Sequence, residues 1–447
     1  SGGYAVDNSC RFNSGSSDNL NKTLGTATNR KKFTFSLWFK RSSLTNNHGQ
    51  LITGGTNANT NIDEFTVHSS DKLSFQGYES STQEFQLRTN QLFRDVSAWY
   101  HVVVAYDSTQ GTASNRIKMY VNGTQVTSFA IENYPDQNHE PLFNSNVSHL
   151  IGRYFNVSYY YNGYMSEVIL VDGTALDPTS FGEFDEDSGI WKPIDVSGLT
   201  FGNNGFYLDY GNSAALGADV SGNGNNFTVN NLTAIDQSTD TCTNNFATLN
   251  PLDVNGIVLS EGNLNAGSTG ATWRSTRGTF GMSSGKWYWE MKIIGGNTPI
   301  DAQIGVGSFE LAIASNGEWS SANPSVAYSA GDGSKKVNGT SSTYGASFTT
   351  NDIIGVAFDV DNLNVTFYKN GASQGAITTG FSASDTFACE VAFYGRGGGT
   401  TNGSFNFGSP SFAISSGNQD GNGYGNMEYA VPSGYYSLNT KNLAEYG

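Results

Sequence analysis

Alternation of apolar and polar residues with a period of two runs through most of this chain, and helical periodicity is nearly absent. The segment FTFSLWFK shows the pattern clearly, because Phe33, Phe35, Leu37 and Phe39 share one face and the residues between them share the other. Turn-forming Asn, Gly and Ser separate runs of this kind, with no helical segment between them. Strands at such spacing are typical of antiparallel sandwiches, so the sequence predicts an all-β protein.

Two sets of strands follow each other along the chain. The first set is predicted at 33–40, 64–69, 72–78, 84–88, 99–107, 116–123, 149–155 and 166–173. The second set is predicted at 256–262, 285–294, 302–308, 325–330, 352–371, 388–395 and 404–408. The pattern loosens between 174 and 250, and we place the boundary near 236–245. Two antiparallel β-sandwiches in tandem are therefore expected, followed by a short Gly/Asn-rich C-terminal tail.

Both sets contain an Asn-Gly dipeptide between two strand-like runs, in MYVNGTQV (119–126) and FYKNGASQG (367–375). Asn-Gly favours a type I′ turn, because both central residues must adopt positive φ. The sequence therefore predicts a tight hairpin at each position.

Composition excludes several functions. The 447 residues carry a formal charge of −16, which disfavours binding to a phosphate backbone, so no nucleic-acid partner is expected. Charged residues make up only 14% and aromatics 13%, which is unlike a disordered chain. No apolar stretch approaches 18 residues, so membrane insertion is not expected. The chain lacks an N-terminal Met and a signal peptide, and we expect it to be processed, trimmed or partial.

The first set of strands resembles the laminin-G/pentraxin branch of the concanavalin A-like sandwich. The residues that carry this resemblance are FTFSLWFKR, WYHVVVAYD, MYVNG, IGR and YNGYMSEVILVDGTAL, in that order. The resemblance implies a jelly-roll, concanavalin A-like domain, which we place at 1–236.

The second set resembles a SPRY domain, through GKWYWEMKI, IGVG, NDIIGVAFDVDNLNVTFYKNG and a final FNFG. The resemblance implies a second sandwich, which we place at 245–410, with 411–447 as a linker or docking segment. The loop 309–325 departs from the family, so the usual SPRY partner is not carried over.

The order of the two modules resembles virion proteins of tailed bacteriophages, especially marine ones. That resemblance implies a non-enzymatic tail fibre, appendage or capsid-surface decoration at the virion surface. The expected partners are other virion chains or host-surface glycans, and the expected assembly is a homo-oligomer, with a trimer favoured. A secreted or cell-surface bacterial adhesin is the alternative.

Aromatic residues provide the candidate ligand-binding site. The segment YFNVSYYYNGY (154–164) holds five tyrosines around a turn, more than one core face accommodates. Exposed tyrosine beside asparagine suits sugars, because the ring is apolar and the tip is polar. The alternative is that alternate tyrosines are core and the rest lie in a subunit interface. The candidate residues are Tyr159, Tyr160, Tyr161, Asn162 and Tyr164, with Trp319 beside Glu318 and Arg396 as weaker candidates in the second module.

Asp219-x-Ser221-x-Asn223-Gly224 is the candidate calcium site. It supplies alternating oxygen ligands and a glycine for the sharp turn, as a calcium loop requires. The alternative is an Asn/Gly turn that satisfies its own backbone. A similar loop, Asn418-x-Asp420-x-Asn422, follows later in the chain, and neither loop has a glutamate at the position of the terminal acid ligand.

Two catalytic patterns are weighed and set aside. Gly371-x-Ser373-x-Gly375 fits a nucleophile elbow, but it follows a strand and leads into another, whereas the elbow needs a strand-to-helix turn. Glu183, Asp185 and Asp187 have the parity of a glucanase strand. A flat strand would hold the outer pair about 13 Å apart at Cα, and retaining hydrolysis needs about 5–5.5 Å between carboxyl groups. An acidic surface loop is expected instead, and a polysaccharide hydrolase is the least favoured function.

Overall fold

The computed structural model describes residues 3–45, 49–57, 60–155, 157–310, 313, 319 and 324–447. The chain divides into two compact units, Ser1–Thr243 and Asn244–Gly447. Each unit is built almost entirely of antiparallel strands, which confirms the predicted fold class of two β-sandwiches in tandem. No helix of the described residues has the length and apolarity to cross a membrane.

The first unit consists of two large sheets and a small hairpin. Its strands are β1 (Ser9–Phe12), β2 (Asn19–Thr23), β3 (Lys32–Arg41), β4 (Gln50–Asn57), β5 (Asn61–Val67), β6 (Leu73–Glu79), β7 (Thr82–Thr89), β8 (Tyr100–Asp107), β9 (Ile117–Val121), β10 (Thr124–Gln125), β11 (Phe129–Asn133), β12 (Ser148–Ile151), β13 (Gly163–Asp172), β14 (Gly182–Phe184), β15 (Trp191–Pro193), β16 (Phe206–Leu208), β17 (Thr228–Asn230) and β18 (Gln237–Ser238). Short 3-10 helices lie at Ala113–Asn115, Pro178–Ser180 and Ala234–Asp236. Sheet I has the order β10-β9-β8-β3-β13-β1-β18, with β16 also on β13, and sheet II has the order β11-β7-β6-β5-β4-β12-β2-β17.

The alternation read from the sequence places the core of this unit between sheets I and II. Phe33, Phe35, Leu37 and Phe39 of β3 are fully buried there, and Phe65, Phe75 and Phe85 meet them from sheet II. The outer face of sheet I is also covered. A second apolar cluster lies on it, formed by Val103, Ile169, Val171, Phe181, Val196, Phe201 and Tyr207.

His101 belongs to this covered outer face and is a structural residue. Its ring stacks on Trp38 and Trp191, with centroids 4.7 and 5.9 Å away. The Trp191 indole N–H donates to Nδ1 at 2.9 Å, and Ser36 Oγ lies 2.9 Å from Nε2. Because an indole N–H only donates, Nδ1 is an acceptor and the ring is neutral. Burial lowers the pKa of His101 to about 3, which agrees with that state.

The second unit has the same plan. Its strands are β19 (Leu249–Asn255), β20 (Val258–Ser260), β21 (Asn265–Thr269), β22 (Trp273–Gly278), β23 (Lys286–Gly295), β24 (Ala302–Ser308), β25 (Ser325–Ser329), β26 (Lys335–Val337), β27 (Thr340–Ser342), β28 (Ile353–Asp359), β29 (Asn364–Lys369), β30 (Ala372–Thr378), β31 (Phe387–Tyr394), β32 (Thr400–Asn406) and β33 (Tyr436–Ser437). A 3-10 turn lies at Arg396–Gly398, and the short helix α1 spans Thr440–Tyr446. Sheet III has the order β19-β22-β31-β24-β25-β26-β27, and sheet IV has the order β20-β21-β32-β23-β28-β29-β30 with β33 parallel to β23.

The C-terminal segment 411–447 packs on the second unit and does not leave it as a linker. Met427 is fully buried against Tyr288 and Ala357, on the face of sheet IV that points away from the core. The buried Glu290 side chain accepts backbone N–H bonds from Glu428 and Tyr429 at 2.9 and 2.8 Å. The segment is thus part of the fold of this unit.

The two predicted Asn-Gly hairpins are confirmed. Asn122 and Gly123 join β9 to β10 with φ of 45° and 77°, and Asn370 and Gly371 join β29 to β30 with φ of 48° and 79°. Other elements are missed by the sequence analysis, notably β4 and β22. The predicted strand 149–155 ends at Ile151, because the chain turns there into a tyrosine-rich loop.

Candidate functional site

A row of polar side chains crosses the outer face of sheet II. The alternation within β5, β6 and β7 directs phenylalanines to the core and leaves Glu64, Gln76 and Gln86 on the opposite face. Strand register places these three residues directly opposite one another, Gln86 against Gln76 and Gln76 against Glu64. The register continues the row to both edges of the sheet. In spatial order the row is Asn133, Gln86, Gln76, Glu64, Thr53, Leu150, Asn21 and Thr228.

Hydrogen bonds along this row run in one direction and end on a carboxylate. The Gln83 amide donates to the Gln86 side-chain oxygen at 3.1 Å and to the Tyr78 hydroxyl at 2.7 Å. The Gln86 amide donates in turn to the Gln76 oxygen, and the Gln76 amide donates to Glu64 Oε1. Each glutamine thereby fixes the orientation of the next one. The row is a preorganised set of polar side chains, of which Gln86, Glu64 and Thr53 are buried.

Glu64 is the last acceptor in this chain of hydrogen bonds and the one ionisable group of the row. Its side chain is buried, and burial raises its pKa to about 7, while the Gln76 hydrogen bond and the charge of Arg88 act in the opposite direction. Within the described residues, Gln76 is its one side-chain donor, and that donor binds Oε1. No group in the described part of the chain donates a hydrogen bond to the other oxygen, Oε2.

A small aromatic loop borders the row at Thr53. The Thr53 hydroxyl donates to the backbone oxygen of Arg153 at 2.9 Å, which ties the loop to the strand next to Glu64. Arg153 pairs with Tyr160 across the loop, and its guanidinium lies 5.3 Å from the centre of that ring. The rings of Tyr154 and Tyr159 lie 6.0 Å apart, and Tyr159 is 39% exposed. Two of the predicted tyrosines, Tyr159 and Tyr160, thus lie beside a polar surface.

The other predicted residues of the tyrosine segment are structural, which corrects the sequence interpretation. Tyr161 is fully buried in the core, where its hydroxyl donates to the Lys40 backbone oxygen at 2.9 Å. Tyr164 is buried within β13, and Asn162 accepts the backbone N–H of Ser14 at 2.6 Å. The reason is packing on both faces of sheet I: Tyr161 belongs to the core between the two sheets, and Tyr164 packs against Trp99 and Lys40.

The Asp219 loop closes on itself and does not present ligands to calcium. Oδ1 of Asp219 accepts the backbone N–H groups of Tyr207 and Ser221, each at 2.9 Å. Oδ2 accepts the Ser221 hydroxyl at 2.9 Å and the backbone N–H of Asn225 at 2.7 Å. Since a carboxylate offers about four lone-pair sites, these bonds use all of them. The Asn223 amide donates to two backbone oxygens, so the calcium prediction for Asp219, Ser221 and Asn223 is wrong.

Asp420, in the second loop with calcium-like spacing, is also occupied. It accepts five hydrogen bonds from groups of the C-terminal segment, donated by Asn422, Tyr424, Ser437 and Asn442. Among the described residues, no group of three or more His, Cys, Asp or Glu side chains is arranged to hold a metal ion.

The two catalytic patterns are structural as well. Ser373 lies in β30 directly after the Asn370–Gly371 turn, and its hydroxyl accepts the Gly375 backbone N–H at 3.2 Å. Asp185 lies in the exposed turn between β14 and β15, where Lys192 pairs with it at 3.1 Å. Ser373 thus belongs to a hairpin and Asp185 to an exposed turn, as the sequence analysis expects.

The predicted residues of the second unit lie on the outer side of sheet III. Trp319 is buried against Ala327 and Ala392, with Trp273 packed beside it, so it is not an exposed binding residue. Its predicted neighbour Glu318 lies outside the described residues. Arg396 forms a bidentate ion pair with Asp301, with N–O distances of 2.7 and 2.9 Å, at the rim of a cleft.

Sequence reasoning missed the polar row of sheet II, although a signal for it exists. Each of three neighbouring predicted strands carries a glutamate or glutamine directly beside a core phenylalanine, in the pairs Glu64–Phe65, Phe75–Gln76 and Phe85–Gln86. Aligning the three pairs in adjacent strands would have placed the polar members side by side.

Comparisons with known proteins agree with this architecture. Residues 14–179 match the Laminin_G_3 model, described as the concanavalin A-like lectin/glucanases superfamily, and residues 286–410 match the SPRY domain model. The chain therefore carries a concanavalin A-like domain followed by a SPRY domain, which confirms both domain resemblances. Domains of these two kinds are typically non-catalytic binding modules, and no enzyme family is indicated.

Several solved structures are similar to parts of the chain. The SPRY domain of human HERC1 is 21% identical with a TM-score of 0.31, over 35% of this chain and 96% of that one. Stonustoxin is 19% identical with a TM-score of 0.28, over 36% of this chain and 27% of that one. The heptameric SAP-like pentraxin from Limulus polyphemus is 18% identical with a TM-score of 0.27, over 36% and 71%. No curated protein matches the chain.

Proposed function

We propose that this chain is a non-enzymatic adhesion protein that binds glycans on the outer face of sheet II. The observation that carries the proposal is the position of Tyr159 and Tyr160 beside the polar row, at Thr53, the neighbour of Glu64 in the row. Sugars present hydroxyl groups around an apolar ring face, and this surface offers both kinds of contact. The aromatic rings supply the stacking surface, and the row supplies fixed hydrogen-bonding groups.

The polar row assigns separate roles to its members. Glu64 Oε2 accepts a sugar hydroxyl, since Oε1 is already held by Gln76. The glutamines are locked by one another, so they lose little side-chain freedom when a ligand binds, and preorganisation of this kind favours affinity. The face is half open at Gln76 and Tyr78, whereas Glu64, Gln86 and Thr53 are buried, so a sugar meets the row first at Gln76.

Binding without hydrolysis fits the acid content of the row. Glycoside hydrolysis uses a pair of carboxyl groups that flank the scissile bond. Of the eight side chains in the row, Glu64 is the one carboxylate. A polysaccharide hydrolase is therefore not the function we propose.

The setting we propose is the virion surface, where the chain serves as a tail fibre, appendage or capsid decoration that adsorbs to host glycans. The support is the order of the two modules, together with the rigid, turn-rich, weakly charged build of both. A secreted or cell-surface adhesin is the second candidate, with the same binding chemistry. Assembly as a homo-oligomer, with a trimer favoured, would raise the apparent affinity for a glycan-covered surface, because several weak sites bind at once. Mass spectrometry of purified particles against culture supernatant separates the two settings.

Substitution of Tyr160 tests the proposed site. Tyr160→Ala removes the ring that Arg153 holds in place, and we expect the affinity for a glycan that the wild type binds to fall at least tenfold. Phe184→Ala is the matched control, because Phe184 is 52% exposed but lies on the hairpin that covers the opposite sheet. Equal affinities of wild type and Tyr160→Ala in isothermal titration would remove this site from the account.

A further inference from the structure

A cleft of about 330 Å³ lies in the second unit, on the outer side of sheet III. It is found where β24 begins and where β25 and β31 end. Its walls include Trp273, Gln303, Ser329 and Arg396. None of these belongs to the glycan surface proposed for the first unit.

The charges around the cleft cancel in pairs. The Arg396 guanidinium donates two hydrogen bonds to the Asp301 carboxylate, at 2.7 and 2.9 Å. Asp332 and Lys336 provide one further charge of each sign, and Asp332 already accepts the Ser334 backbone N–H at 2.9 Å. A charged ligand would gain no net attraction in this environment. The cleft is suited to a neutral one.

Gln303 is the polar group of the cleft that lacks a partner. The residue is only 5% exposed, and within the described residues its Oε1 atom receives no hydrogen bond. Gln303 cannot turn to the core, because its neighbours Ala302 and Ile304 occupy that side of β24. Buried acceptors are almost always satisfied in folded proteins, so an unsatisfied one that lines a cleft calls for an explanation. A donor brought by a ligand would supply the missing bond.

The same face of sheet III carries further unsatisfied groups. Ser275 lies in one transverse row with Gln303, with Ala392 between them, and its hydroxyl has no hydrogen-bond partner among the described residues. The same holds for Nε1 of Trp319, which packs against Trp273 at the side of the cleft. Buried groups without a hydrogen-bond partner among the described residues thus lie together on this face, although Ser275 and Trp319 do not line the cleft itself.

We propose that this cleft binds a single neutral sugar residue. A sugar hydroxyl donates to Gln303 Oε1 once this side chain rotates to bring the buried oxygen to the cleft, and the half-buried ring of Trp273 supplies the apolar wall. The volume lies at the lower end of the range for small-molecule pockets, which suits one sugar unit and not a long chain. The proposal concerns the second unit alone, and variants in the two units distinguish it from the site proposed on sheet II.

Titration of the full chain with a panel of neutral methyl pyranosides tests this inference. For a glycoside that the wild type binds, Gln303→Leu is expected to raise Kd at least tenfold, while the thermal unfolding temperature stays equal or rises because a buried unsatisfied acceptor is removed. Trp273→Ala is expected to weaken binding as well, and Trp273→Phe to weaken it less. Gln419→Leu, an exposed glutamine of the same unit, is the matched control and is expected to leave Kd within twofold.

Two outcomes would overturn the inference. In the first, no methyl pyranoside binds the wild type at millimolar concentration. In the second, Gln303→Leu and Trp273→Ala bind as the wild type does, while Tyr160→Ala loses binding, so that the sugar is held on sheet II alone. Conversely, loss of binding in Gln303→Leu with retention in Tyr160→Ala would support this cleft and count against the site of the first unit.

Discussion

Asp63 and Glu64 are consecutive residues of β5 that point to opposite faces of sheet II, and burial raises the pKa of both carboxyl groups. Asp63 points to the core, where it accepts the Phe143 backbone N–H at 2.7 Å, and its pKa rises to about 8. The pKa of Glu64 rises to about 7. Each group binds its proton more tightly in the folded chain than in the unfolded chain. Their stabilising contribution is therefore complete below about pH 4 and is lost as the pH rises to about 8.

Glu64→Gln should accordingly stabilise the first unit at high pH and not at low pH. The amide keeps an acceptor for Gln76 but cannot ionise, so we expect the free energy of unfolding to rise by about 3 kcal/mol at pH 8, with little change at pH 4. Urea unfolding across this pH range measures the difference. Glu186→Gln, at an exposed carboxylate, is the control and should show no such trend. A gain from Glu64→Gln that is the same at pH 4 and pH 8 would contradict the buried, protonated state of Glu64.

At the residue scale, composition marked a candidate segment but did not separate its exposed side chains from its buried ones. Of the tyrosines between 154 and 164, Tyr159 and Tyr160 border the polar row, and the binding role of the segment stays a prediction. Tyr161 and Tyr164 are buried by residues that are distant in sequence, Tyr161 in the core between the sheets and Tyr164 against Trp99 and Lys40. The Asp219 loop misled for a similar reason. Calcium loops and self-satisfied Asx turns share one residue pattern, and only the donors around the carboxylate distinguish them.

At the scale of single elements, the Asn-Gly turns show where a local signal is sufficient. Positive φ at both central residues is a local requirement, so each hairpin could be predicted without knowledge of the fold. The polar row of sheet II could not be predicted in this way, because it depends on the register between strands. Register is set by core packing and turn geometry along the whole sheet.

Substitutions at Gly123 and Gly224 allow two destabilising effects of replacing a turn glycine, backbone strain and steric overlap, to be measured separately. Both have positive φ, 77° and 72°, but a Cβ at Gly123 would lie 2.3 Å from the Trp191 ring, whereas one at Gly224 meets nothing within 4 Å. We expect Gly224→Ala to lower the free energy of unfolding by about 1 kcal/mol through backbone strain alone. Gly123→Ala should cost about 2 kcal/mol more, since Trp191 must move from His101. Denaturant titration of the two variants makes the comparison, and equal losses would show that the ring does not constrain the turn.

At the scale of the whole molecule, two sandwich modules in tandem could be predicted, because each carries its own ordered set of strand motifs. The location of the C-terminal segment could not be predicted from the sequence. It depends on Asp420, which is buried and gathers five hydrogen bonds from residues up to Asn442, and a carboxylate at this spacing has no sequence signature for such a role.

Asp420→Ala tests the role of that segment. The substitution leaves several buried donors without an acceptor, and we expect it to destabilise the second unit by at least about 3 kcal/mol. That loss corresponds to a fall of about 6–12 °C in the unfolding temperature of a unit of this size. Differential scanning calorimetry provides an internal reference, because the transition of the first unit should not move. A shift of both transitions, or of neither, would contradict the assignment of the segment to the second unit alone.

The central claim is that the chain binds glycans through its own side chains and without a metal ion. A glycan array of the purified chain, run once with calcium and once with a chelator, tests it most directly. The account predicts the same set of bound glycans in both runs, with signals that fall in Tyr160→Ala and persist in Phe184→Ala. Silence of the wild type in both runs would contradict the claim of glycan binding, and binding that disappears with the chelator would contradict the claim that no metal is needed.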